Sequence, residues 1–150
     1  MPLIYITIDQ VAAIHANTID ISGGGSHGWF DEHAKGRLES VLEHIQNDDY
    51  YPTFLDKITH LFYCSDNFHC FNDGNKRIAI TLSVQFLLFN GYMYCVSDFM
   101  REMENISYHL AAGRIDKEFL RDLIEAVINE SYDDNEELKL RLLNAIQEEL

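Results

Sequence analysis

A chain of 150 residues is long enough to bury a proper core and is expected to form one domain. Its 47% hydrophobic and 24% charged content are those of an ordinary soluble globular protein. Twenty-five acidic residues against 11 basic ones leave a net charge of −14, which argues against nucleic acid as a partner and favours a basic protein segment. Residues 3–7 read as a short strand or an extended arm. Thr7 and Gln10 have the spacing of a capping box, predicting a helix through about Ile21 with Val11, Ile14 and Ile19 roughly on one face. His15 falls on that helix, where a packed histidine is the ordinary expectation.

Ser22–Gly28 is a glycine-rich loop without the Lys-Ser/Thr that would make it a phosphate loop. Asp31 is placed to cap a second helix running to about Gln46, with Leu38, Val41, Leu42 and Ile45 at core spacing. After the loop around Asn47–Tyr51, Pro52 suits the first turn of a third helix from Thr53 to about Asn67. Phe54, Ile58, Leu61 and Phe62 would be its buried face.

The third helix delivers the chain to His69-Cys-Phe-Asn-Asp-Gly-Asn-Lys-Arg77. The twelve residues that follow, Ile78 to Phe89, carry no charge, so a polar loop feeds directly into a buried helix. The first N–H groups of a helix lack intrahelical acceptors and sit at the positive end of its dipole, which suits an anion. Gly74 allows the tight turn at Asp73–Asn75. Lys76 and Arg77 add two cations where the dipole alone would disfavour them, so a phosphate is the expected occupant. His69 has the reference pKa of a general base for a hydroxyl. Asp73 suits Mg²⁺ bound to a nucleotide, and Asn75 a phosphate contact. Phe71 is the expected apolar anchor of the loop.

This segment resembles the Fic/Doc signature His-x-Phe-x-Asp/Glu-Gly-Asn-Gly/Lys-Arg, with all seven specified positions matched: His69, Phe71, Asp73, Gly74, Asn75, Lys76 and Arg77. Lys76 stands where typical Fic proteins have a second glycine, and Ile80 where they have a second arginine. In both respects the chain is closer to the Doc (death-on-curing) branch. The resemblance implies an all-α bundle around a buried central helix, with a flap that positions the target polypeptide, here Gly23 to Phe30. Trp29 and Phe30 would be staples of that flap or core residues. It implies ATP and Mg²⁺ as cofactors, with Asp73 as the metal residue and His69, Asp73, Lys76 and Arg77 as catalytic residues. Gly74, Asn75, Lys76 and Arg77 would bind the phosphates. Doc-type chemistry moves the terminal phosphoryl group of ATP to a protein hydroxyl, with a threonine of elongation factor Tu as the known target class. Fic-type chemistry, AMP transfer, is the alternative, and a non-catalytic binding module is the third. The Ser/Thr-x-x-x-Glu-Gly/Asn helix by which many Fic proteins inhibit themselves is not matched, since Ser131 and Glu136 are one residue too far apart. Restraint is therefore expected in trans, from an antitoxin whose disordered tail folds into a groove.

Beyond the motif, a helix from Asn75 to Asn90 is expected at the centre, closed by Gly91. Tyr92–Val96 reads as a short extended segment. Ser97 or Asp98 would cap a helix with Phe99, Met103, Ile106 and Leu110 inward, ending at Gly113. Asp116 would cap another with Phe119, Leu120, Leu123, Ile124 and Val127 inward. Ala111–Asp116 also resembles the Doc region, so the resemblance extends over about residues 8–128. Residues 130–150 carry seven acidic and two basic residues around a Leu138, Leu142, Ala145, Ile146 stripe, an acidic C-terminal helix. Cys64, Cys70 and Cys95 form no C-x-x-C pair and are expected as reduced thiols in the cytoplasm. No charged n-region precedes an apolar stretch, and the longest uncharged run is too short for a bilayer, so neither a signal peptide nor a membrane span is expected. Oligomeric state is not legible.

Overall fold

In the structure, a computed structural model, the backbone is described for residues 2–21, 32–67 and 75–147, and side chains there except at 18–21 and 75–76. The described residues form α-helices and no strand, in agreement with the expected all-α class. In chain order these are α1 (Ile8–Ile21), α2 (Glu32–His44), α3 (Phe54–Asn67) and α4 (Asn75–Phe89). A 3₁₀ turn (Met93–Cys95) then leads into α5 (Val96–Ala111), followed by α6 (Lys117–Ile128) and α7 (Glu136–Gln147).

α4 is the central helix. It packs against α1, α3 and α5, so it must be apolar on more than one face, and Ile78, Ala79, Leu82, Phe86 and Leu87 are all buried. α3 is the second hub, packing against α2, α4, α5 and α6. Its Ile58, Leu61 and Phe62 are fully buried, and the Phe62 ring meets Phe99 of α5 edge-on at 6.1 Å. At about 25 cal/mol per Å² of apolar surface, burial of this core is the main favourable contribution to folding. The inward residues expected on α5 and α6 are all buried.

Several helix ends follow local chemistry. At α1, the Thr7 hydroxyl accepts from Gln10 N at 3.2 Å while Thr7 N donates to Gln10 Oε1 at 2.9 Å, a complete capping box. Thr53 and Asp56 make the same reciprocal pair at α3, so Thr53 is the cap and Pro52 lies before the helix rather than in its first turn. Asp116 caps α6 by accepting from Phe119 N at 2.7 Å. Gly91 and Gly113 take φ of +86° and +81° just past α4 and α5, where a side chain would be strained. The arm at residues 2–7 is neither helix nor strand and is tied to the far end of α4: Ile4 N donates to Asn90 Oδ1 at 2.8 Å and Asn90 Nδ2 donates to Ile4 O at 2.9 Å.

Two local expectations are overturned. Tyr92–Val96 is a 3₁₀ turn instead of an extended segment, and α5 starts at Val96 with no side-chain cap from Ser97 or Asp98. The cause is continuity: the turn runs straight into α5, and Val96 N already bonds to Met93 O. α2 also ends at His44, with a hydrogen-bonded turn carrying Ile45 to Asn47.

Candidate active site

The motif segment is framed in sequence by the two hubs of the fold. α3 ends at Asn67 and α4 begins at Asn75, and the two helices pack together along the core. His69, Phe71, Asp73 and Gly74 lie between them, outside the described residues, as do Cys70 and the expected flap, Gly23 to Phe30. Asn75 and Lys76 are placed by backbone in the first turn of α4, and Arg77 is half-buried beside them. That turn contains no acidic residue, and the next two positions, Ile78 and Ala79, are fully buried. The positive end of α4 is thereby fixed to the core, and two cations are carried on its first turn.

A phosphate-bearing group fits this donor set. The backbone N–H groups of α4's first turn have no intrahelical acceptors, and Lys76 and Arg77 supply the charges that a phosphate needs. For Mg²⁺ the fit rests on one carboxylate, Asp73, because that ion takes one or two carboxylates plus phosphate oxygens. Among the described residues no cluster of His, Cys, Asp and Glu could hold a metal by itself.

One turn into α4, Ile80 is half-buried and packed against the core, so that position presents a hydrocarbon side chain and no cation. The neighbouring Thr81 hydroxyl donates to Arg77 O at 2.8 Å. The last turn of α3 holds a feature that sequence reasoning missed: Cys64, Ser65 and Asp66 are all at most 2% exposed. A carboxylate buried three residues before His69 is unusual, and its only signal in the sequence was an acidic residue in a core-spaced helix. His15 is buried on α1, as a packed histidine should be.

The family model for the Fic/DOC family matches residues 5–87, more than half of the chain, taking in α3, the motif and most of α4. The chain belongs to the Fic/DOC family. Its membership suggests protein modification by nucleotide-dependent group transfer, and Fic/DOC enzymes are typically ATP-using transferases that employ Mg²⁺. The Fic/DOC match stops within α4, so α5, α6 and the Ala111–Asp116 stretch lie beyond it, although the sequence suggested a likeness to about residue 128. No curated protein matches the chain. No helix among the described residues is long and apolar enough to cross a membrane.

Proposed function

We propose that this Fic/DOC protein is a Doc-type toxin that moves the terminal phosphoryl group of ATP to a threonine or serine hydroxyl of a target protein, with elongation factor Tu as the first target to try. The observation that carries this reading is the pair Lys76 and Ile80 on α4. A lysine replaces the glycine that lets a backbone approach a phosphate closely. An apolar side chain packed on the core replaces the arginine that would hold the far phosphates in AMP transfer.

In this reading Lys76, Arg77, Asn75 and the backbone N–H groups of α4's first turn bind the phosphates. Asp73 holds Mg²⁺. ATP with its ion supplies the transferable phosphoryl group and neutralises part of its charge. Lys76 and Arg77 stabilise the charge that builds on the transferred group, a preorganised electrostatic contribution. His69 takes the proton from the acceptor hydroxyl. Gly74 would allow a tight turn between Asp73 and Asn75, and Phe71 would anchor it.

Restraint comes from an antitoxin in trans, for which the net charge of −14 favours a basic segment. The chain acts in the cytoplasm, where such a target resides, and binds neither nucleic acid nor membrane. Mass spectrometry of elongation factor Tu after incubation with the protein and ATP tests the reading. A phosphothreonine supports it, an AMP-modified residue supports Fic-type transfer, and an unmodified target together with unchanged binding in His69→Ala supports the non-catalytic module.

A further inference from the structure

Nine residues before His69, α3 carries a second polar assembly at His60. Lys117, the first residue of α6, donates from Nζ to His60 Nδ1 at 2.7 Å. The same ammonium lies 5.7 Å from the ring centroids of both Tyr51 and Tyr63. No carboxylate of the described residues forms an ion pair with it. The other cations nearby are paired: Lys57 with Asp48 at 2.8 Å and Arg121 with Asp56 at 2.9 Å.

The hydrogen-bond roles follow from the lysine. An ammonium only donates, so His60 Nδ1 accepts and the ring proton is on Nε2. Burial, then the nearby Lys117 charge and His44, lower the His60 pKa to about 4, so the ring is neutral at pH 7. Nε2–H then donates to the Tyr51 hydroxyl at 3.2 Å, with the two rings 4.6 Å apart. Burial raises the Tyr51 pKa, with Cys64 adding to the effect, so Tyr51 keeps its own proton. That O–H has no acceptor among the described residues. Thr59, one residue before His60 and 2% exposed, also has a buried hydroxyl without a hydrogen-bond partner. Lys117, Tyr51 and Thr59 all line one cleft of about 400 Å³ beside Tyr50. Of the two acids in its lining, Asp56 is already taken by Arg121 and by the Thr53 hydroxyl at 2.7 Å, and Glu118 forms no ion pair with Lys117.

An ammonium without a carboxylate partner and a phenol O–H without an acceptor among the described residues thus line one half-open cleft, with Thr59 also in its lining. We infer that this cleft binds the oxyanion of a small molecule, a carboxylate or a phosphate group, held by Lys117 and Tyr51, with its body against the Tyr50 and Tyr51 rings. This inference does not rest on the transfer chemistry proposed at the motif.

The test is an NMR titration of the whole chain with benzoate and, separately, with inorganic phosphate, at constant ionic strength against chloride. A saturable shift at the amides of Tyr51, Thr59 and Lys117 is expected with at least one of the two. It should weaken about tenfold in Lys117→Met and in Tyr51→Phe, the loss expected for one charge-assisted or buried hydrogen bond. Circular dichroism checks that both variants stay folded. Lys76→Ala should leave these shifts unchanged, which separates this cleft from phosphate bound at α4. Saturation by benzoate alone assigns a carboxylate, and saturation by phosphate assigns a phosphate group. The inference is overturned if neither anion gives a saturable shift, or if folded Lys117→Met and Tyr51→Phe bind like the parent.

Discussion

The N-terminal half of α3 is tied to the molecule by partners far along the chain, whereas its C-terminal end leads into nine consecutive residues that form the proposed site. In the first region, Lys57 reaches back to Ile45 O and Asp48, Asp56 reaches forward to Arg121, and His60 reaches forward to Lys117. In the second, His69 to Arg77 are neighbours in sequence, because a loop and a helix N-terminus can assemble a phosphate site locally. The contrast separates two kinds of polar chemistry. Contacts built across the chain hold the helices together, and in the proposed function the local run acts on something outside the protein.

The largest effects should fall on the local run. His69→Ala should lower phosphoryl transfer by about 10²–10⁴-fold, the usual contribution of a general base, and Lys76→Ala should lower it by a similar factor. Both should leave the thermal midpoint nearly unchanged. Transfer at the parent rate in both variants would break the comparison by removing the site from the loop.

The opposite outcome is expected in the long-range region. Lys57 is 1% exposed, donates to Ile45 O at 2.6 Å and lies 5.7 Å from the Tyr5 ring centroid. Burial disfavours its charge, but the hydrogen bonds to Asp48 and Tyr5 outweigh this and hold its pKa above the usual lysine value. Lys57→Ala should cost about 2–4 kcal/mol in urea unfolding, through a cavity and an unmade buried hydrogen bond. Unchanged stability would mean that these contacts are not what fastens α3.

A further effect depends on pH. His60 titrates at about 4 in the folded protein and near 6.5 when unfolded. Between these values the unfolded chain holds the extra proton, so stability falls as pH drops from about 6.5 through about 4. The loss is about 3 kcal/mol at most. Melting curves at neutral and acid pH should lie closer together in His60→Gln than in the parent. The smallest effect belongs to the cap of α6: Asp116→Ala should cost about 1 kcal/mol by orphaning Phe119 N, with no effect on transfer.

The same contrast explains what the sequence disclosed. Core positions on α3, α5 and α6 are legible because apolar residues recur at helical spacing, and the caps at Thr7 and Asp116 because capping is a local exchange of hydrogen bonds. The family was legible because its signature is contiguous. The start of α5 was misread because Ser97 and Asp98 are good caps in isolation, and only the preceding 3₁₀ turn makes them unnecessary. Buried Lys57 reads as a surface lysine until Ile45 O and Asp48 are seen beside it. The Lys117–His60–Tyr51 assembly had no signature at all, since its members come from a loop and two helices, with a sequence separation of 57 from His60 to Lys117.

The measurement that bears most directly on the central proposal uses the purified chain, elongation factor Tu and ATP labelled at either the α or the γ phosphate. The account predicts label on the target from the γ position only, lost in His69→Ala. Label from the α position would contradict it, because AMP transfer would then proceed with Lys76 and Ile80 in place.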